Sequence, residues 1–176
     1  GLNIQNISEI QFRRNILLSS EINLPVYNNF RDTVAGPGSE MEHVRTDLVE
    51  YLKNDDLYVS RMQIDYIFSP YKEVYAKLST GIFETMYGGI GGEILYKPFN
   101  KNFTVGANLF YVKQRSFKQN FEFRDYKTTT GHLSLGYMFP MSIEAVLSVG
   151  RYLAKDDGYT LDLSRRTPSG FKAGIY

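Results

Sequence analysis

The chain has 176 residues, room for one domain of ordinary size, and no run of about 18 apolar residues that would make a transmembrane helix. Its 20 Lys and Arg against 19 Asp and Glu leave a formal net charge of +1, so the basic excess of a nucleic-acid binder is missing and no nucleic-acid partner is expected. Cysteine is absent, which removes disulfides, thiolate nucleophiles and cysteine-ligated zinc together, while 14 Tyr, 12 Phe and 15 Gly suit β-strands punctuated by turns.

Apolar and polar residues alternate along the chain, as they do in a strand with two unlike faces. Over Ser8–Ser20 the apolar file is Ile10, Phe12, Ile16 and Leu18. It continues as Tyr58, Met62, Ile64, Tyr66 and Phe68, then Val74, Ala76, Leu78 and Ile82, then Ile94 and Tyr96. After Pro98 it moves to odd positions: Val105 to Tyr111, Leu133 to Phe139, Ile143 to Val149, and Tyr159 to Leu163, with a last strand from Phe171. Only Val44–Leu52 has helical spacing, through Val44, Leu48 and Leu52. The pattern predicts about eight or nine strands in an all-β, antiparallel up-and-down meander.

Pro- or Gly-marked tight turns are expected at Ser69–Lys72, Pro98–Asn102, Pro140–Ser142 and Thr167–Gly170. Broader links fall at Met86–Gly91, Ser116–Asp125 and Ala154–Gly158, with one long loop over residues 21–56. Short turns at one end and longer loops at the other are the habit of outer-membrane barrels. The chain opens Gly1-Leu2-Asn3 and stops at Tyr176 inside a strand pattern, so residues 1–176 are expected to be one barrel segment of a longer protein.

Alternation does not say which face meets water. A lipocalin-like soluble barrel would bury the apolar file; a membrane barrel would turn it to lipid and line its lumen with the polar file. Strands of about ten residues and aromatics at the ends of the apolar files favour the membrane alternative, while the absence of Trp counts against it. On that alternative Arg61, Gln63, Asp65, Lys77, Glu93, Lys97, Asn108, Gln114, His132, Asp162, Ser164 and Arg166 project into one lumen. Charges of both signs among amides and hydroxyls offer a hydrated chain many weak hydrogen bonds, as a conduit needs.

Enzymatic and metal-binding readings are weaker. Gly88–Gly92 fails the dinucleotide spacing and reads as a loop-to-strand junction that needs positive φ and close backbone approach. His43 and His132, the two histidines, have no partner at metal-ligand spacing, and Lys155–Gly158 has too few oxygen ligands for calcium. Glu84, Glu93, Asp125 and Asp162 are conceivable glycosidase carboxylates with no motif joining them. No catalytic, cofactor or metal residue is assigned, and a non-enzyme is expected.

The segments Thr85–Pro98, Val112–Arg115, Asp125–Lys127, Thr130–Leu133, Gly150–Asp156 and Asp162–Arg166, with Val44–Asp47 and Glu50-Tyr51, resemble the YjbH-like exopolysaccharide proteins over about Asn28–Tyr176. That resemblance implies an outer-membrane β-barrel of a Gram-negative bacterium, often a lipoprotein, made together with exopolysaccharide or capsule. It implies exopolysaccharide, outer-membrane lipid and periplasmic polysaccharide-secretion proteins as partners, and family members longer than this chain. A structural or adhesive barrel working through its long loops is the alternative, followed by the soluble ligand-binding barrel.

Overall fold

The computed structural model describes residues 2–30 and 47–176. Ten strands form one antiparallel sheet in which every strand pairs with its neighbours in sequence: β1 (Leu2–Arg13), β2 (Ile16–Tyr27), β3 (Tyr58–Tyr71), β4 (Val74–Ile82), β5 (Tyr87–Tyr96), β6 (Phe103–Arg115), β7 (Phe123–Phe139), β8 (Ile143–Arg151), β9 (Asp157–Arg166) and β10 (Lys172–Ile175). The sheet is open, with β1 and β10 at its two edges. One short helix, α1 (Leu48–Leu52), lies in the connection between β2 and β3.

The meander is as the sequence predicts, but one strand more. Ser8–Ser20 contains a hairpin, turning at Arg14-Asn15. Beyond an irregularity between Gln11 and Arg13, Ile10 pairs with Leu18 and Ser8 with Ser20, so even positions face even positions. Partners across an antiparallel pair share a face. The alternation therefore runs through the turn without changing phase, and the hairpin left no mark in the hydrophobic pattern. The opposite happens between β5 and β6, where Tyr96 pairs with Val105 and Ile94 with Ala107. Even now meets odd, which is the phase change the sequence displays at Pro98.

The connections sort to two ends. Arg14-Asn15, Lys72-Glu73, residues 97–102, the 3-10 turn Pro140–Ser142 and residues 167–171 lie at one end; residues 28–30, 47–57, 83–86, 116–122 and 152–156 lie at the other. Left-handed backbone at Glu73, Asn100, Met141, Ser142 and Gly170 makes the first set compact. The expected loop over 21–56 is corrected at its start: β2 continues to Tyr27, because Glu21 and Asn23 belong to the polar file of a strand. The length asymmetry rests chiefly on that one long connection, since 83–86 is shorter than 97–102. The helical spacing is realised at Leu48–Leu52, preceded by Asp47; Val44–Thr46 and His43 lie outside the described residues.

Burial decides between the two faces. On the apolar face Ile64 is 49% exposed, Leu78 55% and Leu133 64%, whereas on the polar face Gln63 is 6%, Asp65 4% and Ser79 2% exposed. The sheet thus curls around its polar side and presents its apolar side outward, the reverse of a water-soluble globule. Apolar residues cover the outer face from β2 to β9, with Ile90, Ile94, Leu109, Leu135, Leu147 and Leu161 all exposed. Near the short-turn end this face carries aromatic pairs: Tyr66 stacks on Phe68, and Tyr96 meets Phe103 and Tyr137 meets Phe139 edge-on.

Candidate functional site: the polar face and its cap

Strand register assembles the polar face row by row. Ile67, Lys77, Glu93, Asn108 and His132 stand opposite one another on β3 to β7, and the row continues to Gly150 and Gly158 on β8 and β9. Arg61, Gln63 and Asp65 follow along β3, Gln114 lies further along β6, and Asp162, Ser164 and Arg166 lie on β9. Eleven of the twelve predicted residues are thus on strands of this one face. Lys97 is the exception: it sits one residue past β5 in the 97–102 turn, exposed, its backbone N–H donating to the Glu73 carbonyl at 2.9 Å.

These side chains mostly satisfy one another. Gln63 Nε2 donates to both Asp65 carboxylate oxygens at 2.7 and 2.8 Å, and Ser79 Oγ donates to the same group. Arg61 Nε reaches Gln63 Oε1 at 3.3 Å. A second knot, which the sequence analysis did not single out, joins Glu21 to Gln5 at 2.7 Å and Ser60 at 2.6 Å, while Asn23 donates to Ser60 at 2.7 Å. Lys77 and Glu93 form an ion pair at 3.1 Å. His132 Nδ1 lies 3.3 Å from Asn108 Oδ1 and its ring packs edge-on to Tyr152 with centroids 4.5 Å apart. Ser134 and Ser148 share a hydrogen bond at 2.8 Å.

The four conceivable glycosidase carboxylates do not converge. Glu93 and Asp162 share the polar face but lie on β5 and β9, Asp125 is exposed near the start of β7, and Glu84 lies in the 83–86 link. The glycines at 88–92 are corrected as well: they lie within β5 and none has positive φ. Close approach is what they serve, since a Cβ on Gly91 would overlap the Phe110 ring and one on Gly89 the Tyr111 carbonyl oxygen.

At the long-connection end the polar face is capped by a packed cluster. Tyr51 of α1, Met86, Tyr87 and Val112 are buried together, with Leu48, Phe83, Phe110, Phe117, Tyr126 and Leu153 packed around them. Arg115 is fully buried. Its Nη1 donates to the carbonyls of Glu84 and Thr85, both at 3.1 Å, and its Nη2 to those of Gln119 at 2.6 Å and Asn120 at 3.0 Å. One side chain thereby ties together the two links 83–86 and 116–122. The helix is tied in by Tyr51 Oη donating to the Arg115 carbonyl at 2.6 Å, Gln119 Nε2 donating to the Tyr51 carbonyl at 2.7 Å, and Gln114 Nε2 donating to Asp47 Oδ2 at 3.0 Å. Burial pushes the Tyr51 phenol above its ordinary range, so it stays neutral and keeps its proton for that bond.

Residues 1–176 match the model of a family described as exopolysaccharide biosynthesis protein YbjH, under the heading YjbH. The chain belongs to the YjbH family. A curated YjbH relative, the uncharacterized lipoprotein YjbH of Escherichia coli (strain K12), is 40% identical over 156 residues, covering 85% of this chain and 22% of that protein. The chain therefore spans about a fifth of the length of the YjbH relative it matches. No solved structure matches. Several segments that carry the YjbH resemblance converge on the cap: Met86 and Tyr87, Val112 to Arg115, Tyr126, Leu153, and Asp47 with Tyr51. Arg115 and Tyr51 thus lie inside YjbH-like segments, but nothing in their spacing announces that they meet.

Proposed function

We propose that the chain is a sector of the wall of a Gram-negative outer-membrane β-barrel, and that the barrel's polar lumen helps an exopolysaccharide leave the cell without chemical change. The carrying observation is the inversion of burial: amides, hydroxyls and the Asp65 carboxylate are enclosed while a broad apolar face is exposed. In water such a face is a severe liability; in lipid it is the ordinary outer surface of a barrel. Its dimensions support the same reading. From Phe103 to Tyr111 the apolar file of β6 runs about 27 Å along the strand, or about 20 Å across a bilayer at the usual tilt, close to the apolar band of known barrels.

Exopolysaccharide as the cargo rests on membership of the YjbH family. The polar face suits it chemically, because Lys77 and Glu93 form an ion pair, Asp65 is bonded by neutral donors, and amides and hydroxyls offer weak, exchangeable hydrogen bonds to a sliding sugar chain. The lipoprotein relative of Escherichia coli supports membrane attachment of the full-length protein. Capsule or biofilm formation and contact with periplasmic secretion proteins belong to the same proposal.

Deletion of the parent gene tests it. We expect sugar polymer to accumulate in the periplasm and fall outside the cell, with both reversed by the full-length gene. Unchanged release would overturn the conduit and leave a structural or adhesive barrel.

A further inference from the structure

Apolar residues interrupt the polar file at several points, Leu17 and Val146 among them, and at one of these points three of them cluster. Ile67 on β3, Tyr75 on β4 and Leu95 on β5 stand on the polar face, with Tyr75 directly opposite Leu95 and Ile67 directly opposite Lys77. All three are well exposed, Tyr75 to 50%. Leu95 in turn pairs with Gly106, and Gly106 with Ser134. The result is an open cleft of about 350 Å³ with an apolar floor and a polar margin formed by the Lys77–Glu93 ion pair, Asn108 and Ser134. Its volume is in the range of small-ligand sites.

Three large, exposed apolar side chains clustered on a face rich in hydroxyls, amides and charges leave apolar area in water unless something covers them. The occupant must therefore be amphiphilic on the scale of one residue: flat and C–H-rich on one side, hydroxylated at its edge. A pyranose ring has that construction. Its axial C–H groups can lie against the electron-rich face of Tyr75 and against Leu95, while its equatorial hydroxyls reach the ion pair and the Asn108 amide. Lys77 and Glu93 cancel, so the margin carries no net charge and offers nothing in particular to a uronate or a phosphate. Gly106 supplies the depth: a Cβ there would meet nothing nearer than 3.6 Å, so the space is vacant and the glycine is not held by crowding.

We propose that this cleft is a saccharide subsite for a neutral pyranose unit, a resting point on the polar face about which a passing chain pauses. It rests on the reading of that face as a glycan path, and names the place and the class of sugar. One aromatic contact and a few exchangeable hydrogen bonds give weak affinity, as a conduit requires.

The test uses the full-length parent protein, purified folded in detergent, titrated calorimetrically with cellohexaose as the neutral probe and hexagalacturonate as the charged one. Heat-shifted gel mobility verifies that each variant is folded. We expect cellohexaose to bind, hexagalacturonate to bind several-fold more weakly, and Tyr75→Ala to weaken cellohexaose about tenfold. Tyr75→Phe, which keeps the ring, should stay within about twofold, and Gly106→Leu, which fills the cleft, should abolish binding. No binding of cellohexaose by the natural protein, undiminished binding by Tyr75→Ala and Gly106→Leu, or equal binding of the charged probe would each overturn the subsite. Loss of polymer release on gene deletion together with any of those results would sink the subsite alone. Expected binding with unchanged release would sink the conduit and leave the subsite standing.

Discussion

The cap and the middle of the wall obey opposite rules of burial. Around α1 the molecule behaves like a small water-soluble protein: Tyr51, Met86, Tyr87 and Val112 pack together, and Arg115, the one buried cation among the described residues, donates from its two Nη atoms to four carbonyls. A few residues along the same strands, Leu109 and Leu133 point outward while Thr128 and Thr130 are enclosed. The two regions share β6 and β7, so neither composition nor strand propensity separates them. What differs is where each region finds its packing partners. Near the cap, side chains fold back over the polar face and create their own interior; along the wall, apolar groups meet only neighbours on the same exposed face.

Removing the keystone of the cap should have the largest effect. Arg115→Ala orphans four carbonyls in two links and opens a cavity, and should cost about 4 kcal/mol. Limited proteolysis of the folded full-length protein should show new cleavage within 83–86 and 116–122 while the strands stay protected. Cleavage confined to other segments would mean that the cap does not depend on this residue.

The wall predicts a face-dependent effect at adjacent positions. Leu133→Arg, on the exposed apolar face, should lower stability in lipid vesicles by about 2–4 kcal/mol, and Ser134→Arg on the polar face by much less. Urea titration of the refolded full-length protein measures both. Equal tolerance would remove the distinction between the two regions, because both would then be surfaces facing water.

The smallest effect concerns the helix tether. Tyr51→Phe removes the bond to the Arg115 carbonyl and should cost about 1 kcal/mol. It should also change the alkaline behaviour. Burial holds the Tyr51 phenol above its unfolded value, so its contribution is complete below about pH 10 and is lost as pH rises from there through the folded pKa. Protease access to the 47–57 segment should increase across that window in the natural protein, with the phenol's share of the increase absent in Tyr51→Phe. An identical pH profile in both would detach the helix from this tyrosine.

Much of the wall could be read from the chain because period two is a local signal: Tyr159, Leu161 and Leu163 against Thr160, Asp162 and Ser164 need no knowledge of any other strand. The Arg14-Asn15 turn could not, since the register around it keeps even residues facing even ones. Gln114 illustrates the limit for the site. It was assigned to the polar face from its position on β6, but its bond to Asp47 joins residues 67 apart in sequence. Arg115 belongs to neither alternating file in any informative way; its role is set by where the carbonyls of Glu84 and Gln119 arrive, and carbonyls are the same in every sequence. The cleft at Tyr75 fell between the two descriptions, because an aromatic among polar residues looks like noise in an alternating pattern until its cross-strand neighbours are known.

The manner in which Arg115 is held bears on the conditions the molecule can tolerate. Exposed ion pairs weaken as dissolved electrolyte screens them, over a length of about 8 Å at physiological ionic strength. The guanidinium here is buried and its four acceptors are peptide dipoles, which move with the backbone and cannot be displaced by chloride. The cap should therefore keep the same shape in brackish and in fresh surroundings, which suits the proposed outer-membrane barrel, whose outer bath the cell does not control.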